Sequence, residues 1–450
     1  MLSTDLYQFT MAAGYHAAQD GTNASFELFV RELPSSRNYL VMAGLEQALS
    51  VLAEWRYTRD EIQYLRSVPA LRSAGPEFFD EYLPRLRFSG EVWAMAEGTP
   101  VFAGEPILRV TAPLEEAQLV ETALLSTVLF QTSVASKAAR VTDAAAGRPV
   151  MEFGGRRAHG VDAALFASRA AYLGGCSATS NVEAGYRFGI PVAGTMAHSW
   201  VMAHCDELTA FERDMALHGS DSVLLIDTYN SVTAAQKIVS AGLRPAAVRI
   251  DSGDLARVSV AVRSIFDAGP LSSTRILVSG DLDEHRVAAL VASGAPIDGF
   301  GVGTALSTSV DAPALGGVYK LVEILREGTV TPVAKRSLGK QTLPGRKQVW
   351  RVGESSTAVY DVVGLATETP PSGGVPLLEC VMRDGRPTGS APRLCELRAA
   401  CTSTRLTIPE SVRRLSAPGP YPVTFSAALV ELARKNRVEV ARSGAPRDIG

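Results

Sequence analysis

The sequence contains little cysteine and little histidine. Its five cysteines are an odd number without a close pair, which argues against a disulfide scaffold and fits a reducing cytoplasm. Cys380, Cys395 and Cys401 lack the Cys-x-x-Cys spacing of a zinc site. We therefore expect a cytoplasmic protein without a structural metal site. Two of only six histidines fall in the short stretch 194–204, GTMAHSWVMAH.

Long apolar runs and an excess of charge of one sign are also missing. The apolar stretch 116–130 is interrupted by Glu116, Gln118 and Glu121, so it falls short of the roughly 20 apolar residues that a membrane-spanning helix needs. The N-terminal segment lacks the basic and apolar parts of a signal peptide. The net charge of −3 gives no electrostatic reason to bind nucleic acid. We expect binding to neither membrane nor nucleic acid.

The first part of the chain mixes helical and strand-like patterns. Residues 5–19 have a helical pattern and residues 24–33 alternate like a strand. Residues 113–147 predict one long helix, because acidic residues open it, Lys137 and Arg140 come late, and a glycine ends it.

Beyond residue 148 short apolar runs alternate with helical segments. Such alternation indicates stacked βα units with a parallel sheet, and about eight runs indicate a closed barrel. The runs are PVMEFGG, GCSATSN, PVAGTMAHS, SVLLIDTYN, AAVRIDSGD, RILVSGD, IDGFGVGT and VYKLVEI.

The length of 450 residues permits two domains. We predict an α/β fold with an N-terminal α+β domain over 1–112 and an irregular βα barrel that holds the active site over 113–325. The segment 326–450 is expected to pack back on the N-terminal domain, which makes a second domain from both chain ends.

Unusual polar residues follow the apolar runs. In a βα barrel the active site forms at the carboxyl ends of the strands. Each residue could instead have a purely structural role, since an Asp after a strand is frequently a helix N-cap and tight turns also need glycine. The set as a whole is not explained by chance. It comprises Arg156, Arg157, Ser180, Asn181, Thr195, His198, Asp227, Arg249, Asp251, Gly280, Asp281, Gly303 and Thr304.

The residues alone indicate a phosphorylated ligand. The glycine-rich turn 299–304 offers backbone N–H groups to an anion late in the barrel, where phosphate is frequently held. Arg249 lies between an apolar run and an acid, and guanidinium groups suit phosphate and carboxylate oxygens. Asp251, Asp254 and Asp281 could hold Mg²⁺ or sugar hydroxyls. We infer a barrel enzyme that acts on a phosphorylated, sugar-containing anion.

A series of segments between residues 3 and 351 resembles nicotinate phosphoribosyltransferases. The resemblance implies a type II phosphoribosyltransferase fold, an irregular α/β barrel beside a domain built from both chain ends, and a homodimer with sites at the subunit interface. It also implies transfer of phosphoribose from phosphoribosyl pyrophosphate to nicotinate in NAD salvage, coupled to ATP hydrolysis with Mg²⁺. The segments are TDLYQFTM, FELFVRELP, EGTPVFAGEPILRV, EFGGRRAHG, GTMAHSWV, IDTYNS, RIDSGD, SGDLDE, GVGT, DAPALGGVYKLVE and LPGRKQVWR.

The resemblance implies roles for single residues. His198 would accept a phosphoryl group from ATP, and Asp227 is our candidate for fixing the tautomer of its ring. Tyr7 and Phe153 would cover the pyridine ring, although each could instead be a core residue. The remaining residues would bind substrate groups: Arg156 and Arg249 the carboxylate and phosphates, Thr195 nicotinate or phosphate, Asp251 ribose or magnesium, Gly280 and Asp281 the ribose phosphate, and Gly303 and Thr304 the 5′-phosphate.

Ser180 bears on the choice between nicotinate and nicotinamide. Related nicotinamide enzymes carry an aspartate at the position that matches Ser180, where a carboxylate substrate would be repelled. A serine does not repel it and can donate a hydrogen bond. We therefore expect nicotinate, with a nicotinamide enzyme or a non-catalytic ligand-binding homologue as alternatives. His159 stands where this family more often has glutamine.

Overall fold

The computed structural model describes residues 2–18, 21–337 and 340–443, and its backbone packs into two compact units. Unit 1 takes its described residues from Met1–Thr132, Ala314–Arg393 and Ser403–Gly450; unit 2 takes them from Ser133–Pro313 and Leu394–Thr402.

The boundaries of the two units differ from those expected at 112/113 and 325/326. Residues 113–132 and 314–325 belong to unit 1, and residues 394–402 of the expected C-terminal segment belong to unit 2. Residues 338–339 and 444–450 of that segment lie outside the described residues.

Helices occur along most of the described chain, with further short 3₁₀ or π segments between some of them. None of these helices is long and apolar enough to cross a membrane. In chain order they are α1 (Leu6–Ala18), α2 (Leu45–Ala53), α3 (Arg59–Ser67), α4 (Leu83–Arg85), α5 (Leu114–Leu119), α6 (Glu121–Ala144), α7 (Val161–Leu173), α8 (Val182–Phe188), α9 (His198–Met202), α10 (Glu207–His218), α11 (Ser231–Ser240), α12 (Leu255–Ala268), α13 (Glu284–Ala292), α14 (Thr304–Ser307), α15 (Leu394–Thr407), α16 (Glu410–Arg413) and α17 (Ala427–Ser443).

The strands of the described chain form antiparallel and parallel sheets. In chain order they are β1 (Asn23–Val30), β2 (Leu40–Val41), β3 (Glu91–Met95), β4 (Pro100–Val101), β5 (Pro106–Pro113), β6 (Val150–Glu152), β7 (Ala178–Thr179), β8 (Val223–Leu225), β9 (Ala247–Ile250), β10 (Arg275–Val278), β11 (Gly299–Val302), β12 (Gly317–Arg326), β13 (Thr329–Pro332), β14 (Lys347–Glu354), β15 (Thr357–Leu365), β16 (Gly374–Pro376), β17 (Leu378–Arg383), β18 (Arg386–Pro387) and β19 (Val423–Phe425).

Unit 1 is built on a seven-stranded sheet in the order β13-β12-β1-β5-β3-β17-β18. Its centre is apolar, since Leu28 and Leu108, opposite each other on β1 and β5, are fully buried. The run VYKLVEI, predicted as a barrel strand, instead lies in β12 and pairs antiparallel with β1, Phe26 facing Leu321. That prediction was wrong because an apolar strand pattern does not say which sheet the strand joins.

The predicted helix over 113–147 is interrupted once. Helix α5 ends before Val120, whose ψ of −6° departs from helical geometry, and α6 continues to Ala144. The carbonyl of Val120 accepts the backbone N–H of Leu124, which starts the second helix.

Unit 2 contains a six-stranded parallel sheet in the order β7-β6-β11-β10-β9-β8. One face of the sheet is apolar and closely packed, since Val248 and Ile250 of β9 and Ile276 and Val278 of β10 point to the same side and are fully buried. Arg249 and Leu277 alternate with them and are only partly buried. The α/β prediction is therefore confirmed as a mixed α/β fold with a parallel half-barrel.

The closed barrel of about eight strands does not form within the described residues. Strands β7 and β8 are edges of the sheet, and the predicted strand PVAGTMAHS contributes only an isolated bridge from Val192 to Thr179. Pro191 lacks a donor for the ladder and Gly194 weakens a strand, so this segment crosses the gap as irregular backbone.

Candidate active site

The carboxyl ends of the parallel strands bring many of the predicted residues to one edge of unit 2, here called the carboxyl edge. Parallel register places Arg249 of β9 opposite Leu277 of β10 and Val302 of β11 opposite Glu152 of β6. The residues that follow each strand therefore emerge side by side.

Arg249 is the centre of a hydrogen-bond network at the carboxyl edge. Its Nη1 donates to Oγ1 of Thr195 at 2.6 Å, its Nε donates to Oγ of Ser279 at 3.0 Å, and its Nη2 lies 3.3 Å from Oδ1 of Asp251. The Ser279 hydroxyl also donates to Asp251. Three of the five guanidinium N–H groups are thus occupied, and two remain for a ligand.

Ser279 was missed by the sequence analysis. It directly precedes Gly280 in RILVSGD, and a polar side chain closing an apolar run was the available signal. Its hydroxyl connects the arginine and the aspartate of the neighbouring strand end, so it orients both.

His198 begins helix α9, is held by one hydroxyl and lies near one carboxylate. Its Nδ1 lies 3.1 Å from Oγ1 of Thr228, and its Nε2 lies 3.9 Å from Oδ2 of Asp251. The imidazole is 42% exposed, so it is open to a ligand. It is neither buried packing nor part of a metal cluster, since no group of three or more His, Cys, Asp or Glu in the described chain is placed to hold a metal ion.

Asp227 does not pair with His198, contrary to our prediction. Its Oδ2 accepts a hydrogen bond from Oγ of Ser252 at 2.5 Å, while its Oδ1 is buried without a hydrogen-bond partner among the described residues. Asp227 and Thr228 are consecutive in the irregular segment after β8, and the ring contact is made by Thr228 while Asp227 pairs with Ser252.

A cavity opens beside Arg249. Its lining includes Phe153, Leu277, Gly301, Thr195 and Arg249, and its enclosed part is about 60 Å³. This is smaller than the roughly 300–1,000 Å³ of most small-molecule sites, so a ligand would occupy the solvent-open mouth as well.

Phe153 is only partly buried and lines the cavity. It is therefore not a residue of the hydrophobic core, which was the alternative to a role in the site. Its ring centroid lies 5.8 Å from the guanidinium carbon of Arg249. A side chain at Gly301 would place its Cβ 2.6 Å from the Phe153 ring, so glycine there makes room for the aromatic wall. An apolar wall beside a fixed cation suits a flat aromatic anion.

The turn after β10 depends on glycine. Gly280 has φ +98°, and a Cβ there would lie 2.0 Å from the carbonyl oxygen of Asp251, so no other residue fits. Asp281 follows with φ +48°, and its carbonyl accepts a hydrogen bond of 2.7 Å from Arg286.

The turn after β11 lies next to the end of β6. Gly303 precedes the four-residue helix α14, which begins at Thr304. Oγ of Ser307 donates to the carbonyl of Gly154 at 3.2 Å. A Cβ at Gly154 would lie 2.0 Å from Oγ of Ser307, so the two strand ends are packed closely together.

Arg156, Arg157 and Ser180 are exposed at the ends of β6 and β7. The two arginines form no side-chain hydrogen bond or ion pair with the described residues. The backbone N–H of Ser180 donates to the carbonyl of Glu152 at 2.9 Å, which fixes the position of its backbone.

Glu152 is a second residue that the sequence analysis missed. It is buried, and its carboxylate accepts hydrogen bonds from Thr179 at 2.6 Å and from Ser168 at 3.0 Å. It also accepts the backbone N–H of Gly154. The carboxylate therefore joins the ends of β6 and β7 beneath the exposed arginines.

Two other aspartates after strands or turns are helix N-caps. Asp254 accepts the backbone N–H of Arg257 at 3.1 Å, and Asp283 accepts that of Arg286 at 2.8 Å. These two aspartates therefore have the structural role of helix caps.

Tyr7 belongs to unit 1, on helix α1, and its side chain is 47% exposed. Its hydroxyl donates to Oε2 of Glu121 at 2.9 Å. Burial and this hydrogen bond raise the pKa of Tyr7 to about 12. Gln8, Phe9 and Ala12 are the buried residues of the helix, so Tyr7 is not a core residue.

The family of the chain follows from matches along most of its length. Profiles of the nicotinate phosphoribosyltransferase N-terminal domain, family and C-terminal domain match residues 2–129, 149–360 and 374–433. The chain belongs to the nicotinate phosphoribosyltransferase family.

Individual relatives agree with the family profiles. A nicotinate phosphoribosyltransferase of Mycobacterium tuberculosis is 42% identical over 98% of this chain and 95% of its own. One of Bacillus subtilis is 46% identical over 78% of this chain and 73% of its own. The crystal structure of the human nicotinic acid phosphoribosyltransferase is 30% identical, covers 96% of this chain and 99% of its own, and superposes with a TM-score of 0.83.

Proposed function

We propose that the protein joins nicotinate to phosphoribosyl pyrophosphate, giving nicotinate mononucleotide and pyrophosphate in NAD biosynthesis. The observation that carries this proposal is the fixed guanidinium of Arg249 at the end of a cavity walled by Phe153. The fold matches the human relative over nearly the whole chain.

Nicotinate would enter the cavity with its ring against Phe153 and its carboxylate towards Arg249. Thr195, Ser279 and Asp251 hold three donors of the guanidinium, which leaves two N–H groups for the substrate. An oriented fork recognises a carboxylate better than an amide. Ser180 adds no negative charge that would favour the amide.

The phosphate groups of phosphoribosyl pyrophosphate would bind at the turns Gly280–Asp281 and Gly303–Thr304, with Arg156 above them. Backbone N–H groups at turns can approach phosphate oxygens closely. Arg156 is exposed at the carboxyl edge, and a guanidinium fork suits a phosphate. Asp251 would also be able to accept hydrogen bonds from ribose hydroxyls.

The carboxylates at the carboxyl edge fit Mg²⁺. Asp227 has a buried oxygen without a hydrogen-bond partner among the described residues, and oxygen ligands of this kind suit that ion, which usually completes its shell with substrate phosphates and water. Asp227 and Asp251 would hold it. When bound, it would neutralise the negative charge that accumulates on the phosphates.

His198 would act as the phosphoryl acceptor that couples the transfer to ATP. With the proton on Nδ1 donated to Thr228, the lone pair of Nε2 is free to attack the γ-phosphorus of ATP. An N–P bond forms as the bond to the bridging oxygen breaks, and ADP leaves with that electron pair. Arg249 offsets the charge of Asp251 near the incoming phosphate.

We also infer a cytoplasmic homodimer with a type II phosphoribosyltransferase fold whose second domain comes from both chain ends. Val182 and Tyr186 on α8 are 72% and 89% exposed, and their spacing puts both on one face of the helix. Such apolar exposure favours burial by a second subunit. Light scattering in solution tests the dimer.

The test is turnover with phosphoribosyl pyrophosphate, Mg²⁺ and either base, together with γ-labelled ATP. We expect nicotinate mononucleotide and acid-labile phosphate on the protein, and the label should vanish in His198→Ala while slow uncoupled transfer remains. Preference for nicotinamide would support the amide enzyme instead. No product with either base would support a non-catalytic homologue.

A further inference from the structure

Lys137 lies on helix α6, and its ammonium group is buried in unit 2. Its side chain is 2% exposed, and its Nζ lies 2.5 Å from Oε2 of Glu284 and 2.9 Å from Oδ1 of Asp311. A buried ammonium group is costly unless carboxylates face it closely. Here the two carboxylates come from separate parts of the chain, so one lysine joins both to α6.

The two carboxylates follow the turns to which we assign phosphate binding. Glu284 is the first residue of α13, directly after the turn that contains Gly280 and Asp281. Asp311 follows α14, the short helix that begins at Thr304. Lys137 thus forms an ion pair with one carboxylate after each of the two turns.

The neighbours of Lys137 on α6 contact the same two segments. Ser133, Lys137 and Arg140 are spaced so that they share one face of the helix. Nε of Arg140 donates to Oε1 of Glu284 at 2.9 Å, and Oγ of Ser133 donates to the carbonyl of Ala312 at 2.5 Å. The face of α6 is therefore a common support for the two turns.

The charge state of Glu284 agrees with a permanent ion pair. Burial by itself would raise the pKa of Glu284, but the hydrogen bond and charge of Lys137 and the hydrogen bond of Arg140 outweigh it and lower the pKa. The carboxylate is an anion at neutral pH, and the support is electrostatic as well as steric.

We propose that Lys137 is a positioning residue for phosphoribosyl pyrophosphate. It holds the segments that follow the turns Gly280–Asp281 and Gly303–Thr304, and so keeps both turns in the arrangement that receives the phosphates. The inference rests on the proposed function. Lys137 itself is too deeply buried to touch substrate, so its effect on binding passes through Glu284 and Asp311.

The first test compares Lys137→Met with the wild type. Misplacing a binding group by about 1 Å costs up to roughly 100-fold in efficiency, so we expect the KM for phosphoribosyl pyrophosphate to rise about 10- to 100-fold while the KM for nicotinate is unchanged. Asp311→Asn is a milder variant, because this side chain is 19% exposed. It should raise the same KM by a smaller factor. It should also remain folded if Lys137→Met does not fold.

The matched control is Lys237→Met. Lys237 is also a lysine on a helix of unit 2 that pairs with a buried glutamate, since its Nζ lies 3.2 Å from Oε2 of Glu207, whose side chain is 2% exposed. Its removal should lower thermal stability without changing the KM for phosphoribosyl pyrophosphate. An equal rise of that KM in Lys237→Met would overturn the proposal.

The double variant Lys137→Met/Asp311→Asn separates positioning from stability. It removes the carboxylate that Lys137→Met leaves uncompensated, so the melting temperature should recover while the KM for phosphoribosyl pyrophosphate stays high. If both recover together, or if Lys137→Met keeps the wild-type KM, Lys137 has only a structural role.

Calorimetric titration with phosphoribosyl pyrophosphate keeps this proposal distinct from the proposed function. A wild type that binds it without forming nicotinate mononucleotide refutes the reaction but still allows the Lys137 variants to be compared. A wild type that turns over, with unchanged binding in Lys137→Met, refutes the role of Lys137 alone. Absence of binding to the wild type refutes both.

Discussion

The Nδ1 atom of His198 lies 3.1 Å from the hydroxyl oxygen of Thr228, the closest polar side-chain contact of this ring within the described chain. Thr228 follows directly after Asp227, the residue to which the sequence pointed. The neighbour of the expected carboxylate therefore orients the imidazole, and it does so with a neutral hydroxyl rather than with a charge.

Replacing Thr228 with valine keeps the shape of the side chain and removes the hydroxyl. Hydrogen bonds to groups that become charged contribute about 1.5–3 kcal/mol, so the rate of His198 phosphorylation should fall on the order of 10- to 100-fold. Thr228→Ser should retain most of the wild-type rate. Rapid-quench measurement of acid-labile phosphate from γ-labelled ATP checks this, and equal rates in the valine and serine variants would contradict it.

Arg249→Lys keeps the positive charge but loses the fork that Thr195 and Ser279 orient. An ammonium group cannot reproduce those two contacts and a paired contact to a carboxylate. We expect the KM for nicotinate to rise roughly 10- to 100-fold. Arg263→Lys is the matched control, because Arg263 also uses its fork, on the carbonyls of Thr274 and Leu271, and should leave this KM unchanged.

Ser180→Asp should shift the preference towards nicotinamide. A carboxylate at this exposed position of the carboxyl edge repels the nicotinate carboxylate and accepts a hydrogen bond from an amide. Competition between the two bases at equal concentration measures the shift. If the ratio of products stays as in the wild type, Ser180 does not face the substituent of the ring.

Glu105→Gln should change how stability depends on pH. Burial, followed by the charge of Asp361, raises the pKa of Glu105 well above its ordinary value. A raised folded pKa contributes stability at pH below the unfolded value near 4.5, and this contribution is lost as pH rises through the folded pKa. The variant should therefore gain stability relative to the wild type as pH increases.

Urea unfolding of Glu105→Gln and wild type at pH 5 and pH 8 measures that difference. The backbone N–H of Phe102, which Glu105 accepts at 2.8 Å, keeps an acceptor in the glutamine variant. Glu354→Gln, at an exposed position of β14, serves as the control. A constant difference between Glu105→Gln and wild type at both pH values would refute the prediction.

The sequence predicted local structure and the composition of the carboxyl edge well. Strands such as β9 and β10 are apolar runs between turn residues, and the polar residues after them converge because parallel strands share one carboxyl edge. Arg249, Asp251 and Thr195 were predicted there and lie in direct contact. Their roles in substrate binding remain predictions.

The sequence did not predict which strands pair or which side chains meet. Local alternation cannot distinguish β12, which joins unit 1, from a barrel strand, because pairing depends on contacts distant in sequence. Nor could it choose between the consecutive residues Asp227 and Thr228. The backbone conformation after β8 decides which of the two side chains faces His198. Ser279 and Glu152 were missed because a serine or glutamate at the end of an apolar run has many possible partners.

The gap between the edge strands of the parallel sheet is bridged by the segment that leads to His198. The segment before His198 is joined to β7 by two backbone hydrogen bonds at Thr179, from its own N–H to Pro191 and to its carbonyl from Ala193. Moving the imidazole between a nucleotide and a sugar phosphate would therefore disturb this tether and the contacts of Thr195 with Arg249 and of the ring with Thr228. The ladders of the parallel sheet and the glycine turns would stay intact. A reaction with two successive phosphate steps would in this way keep one stationary binding surface and relocate only a short segment of chain.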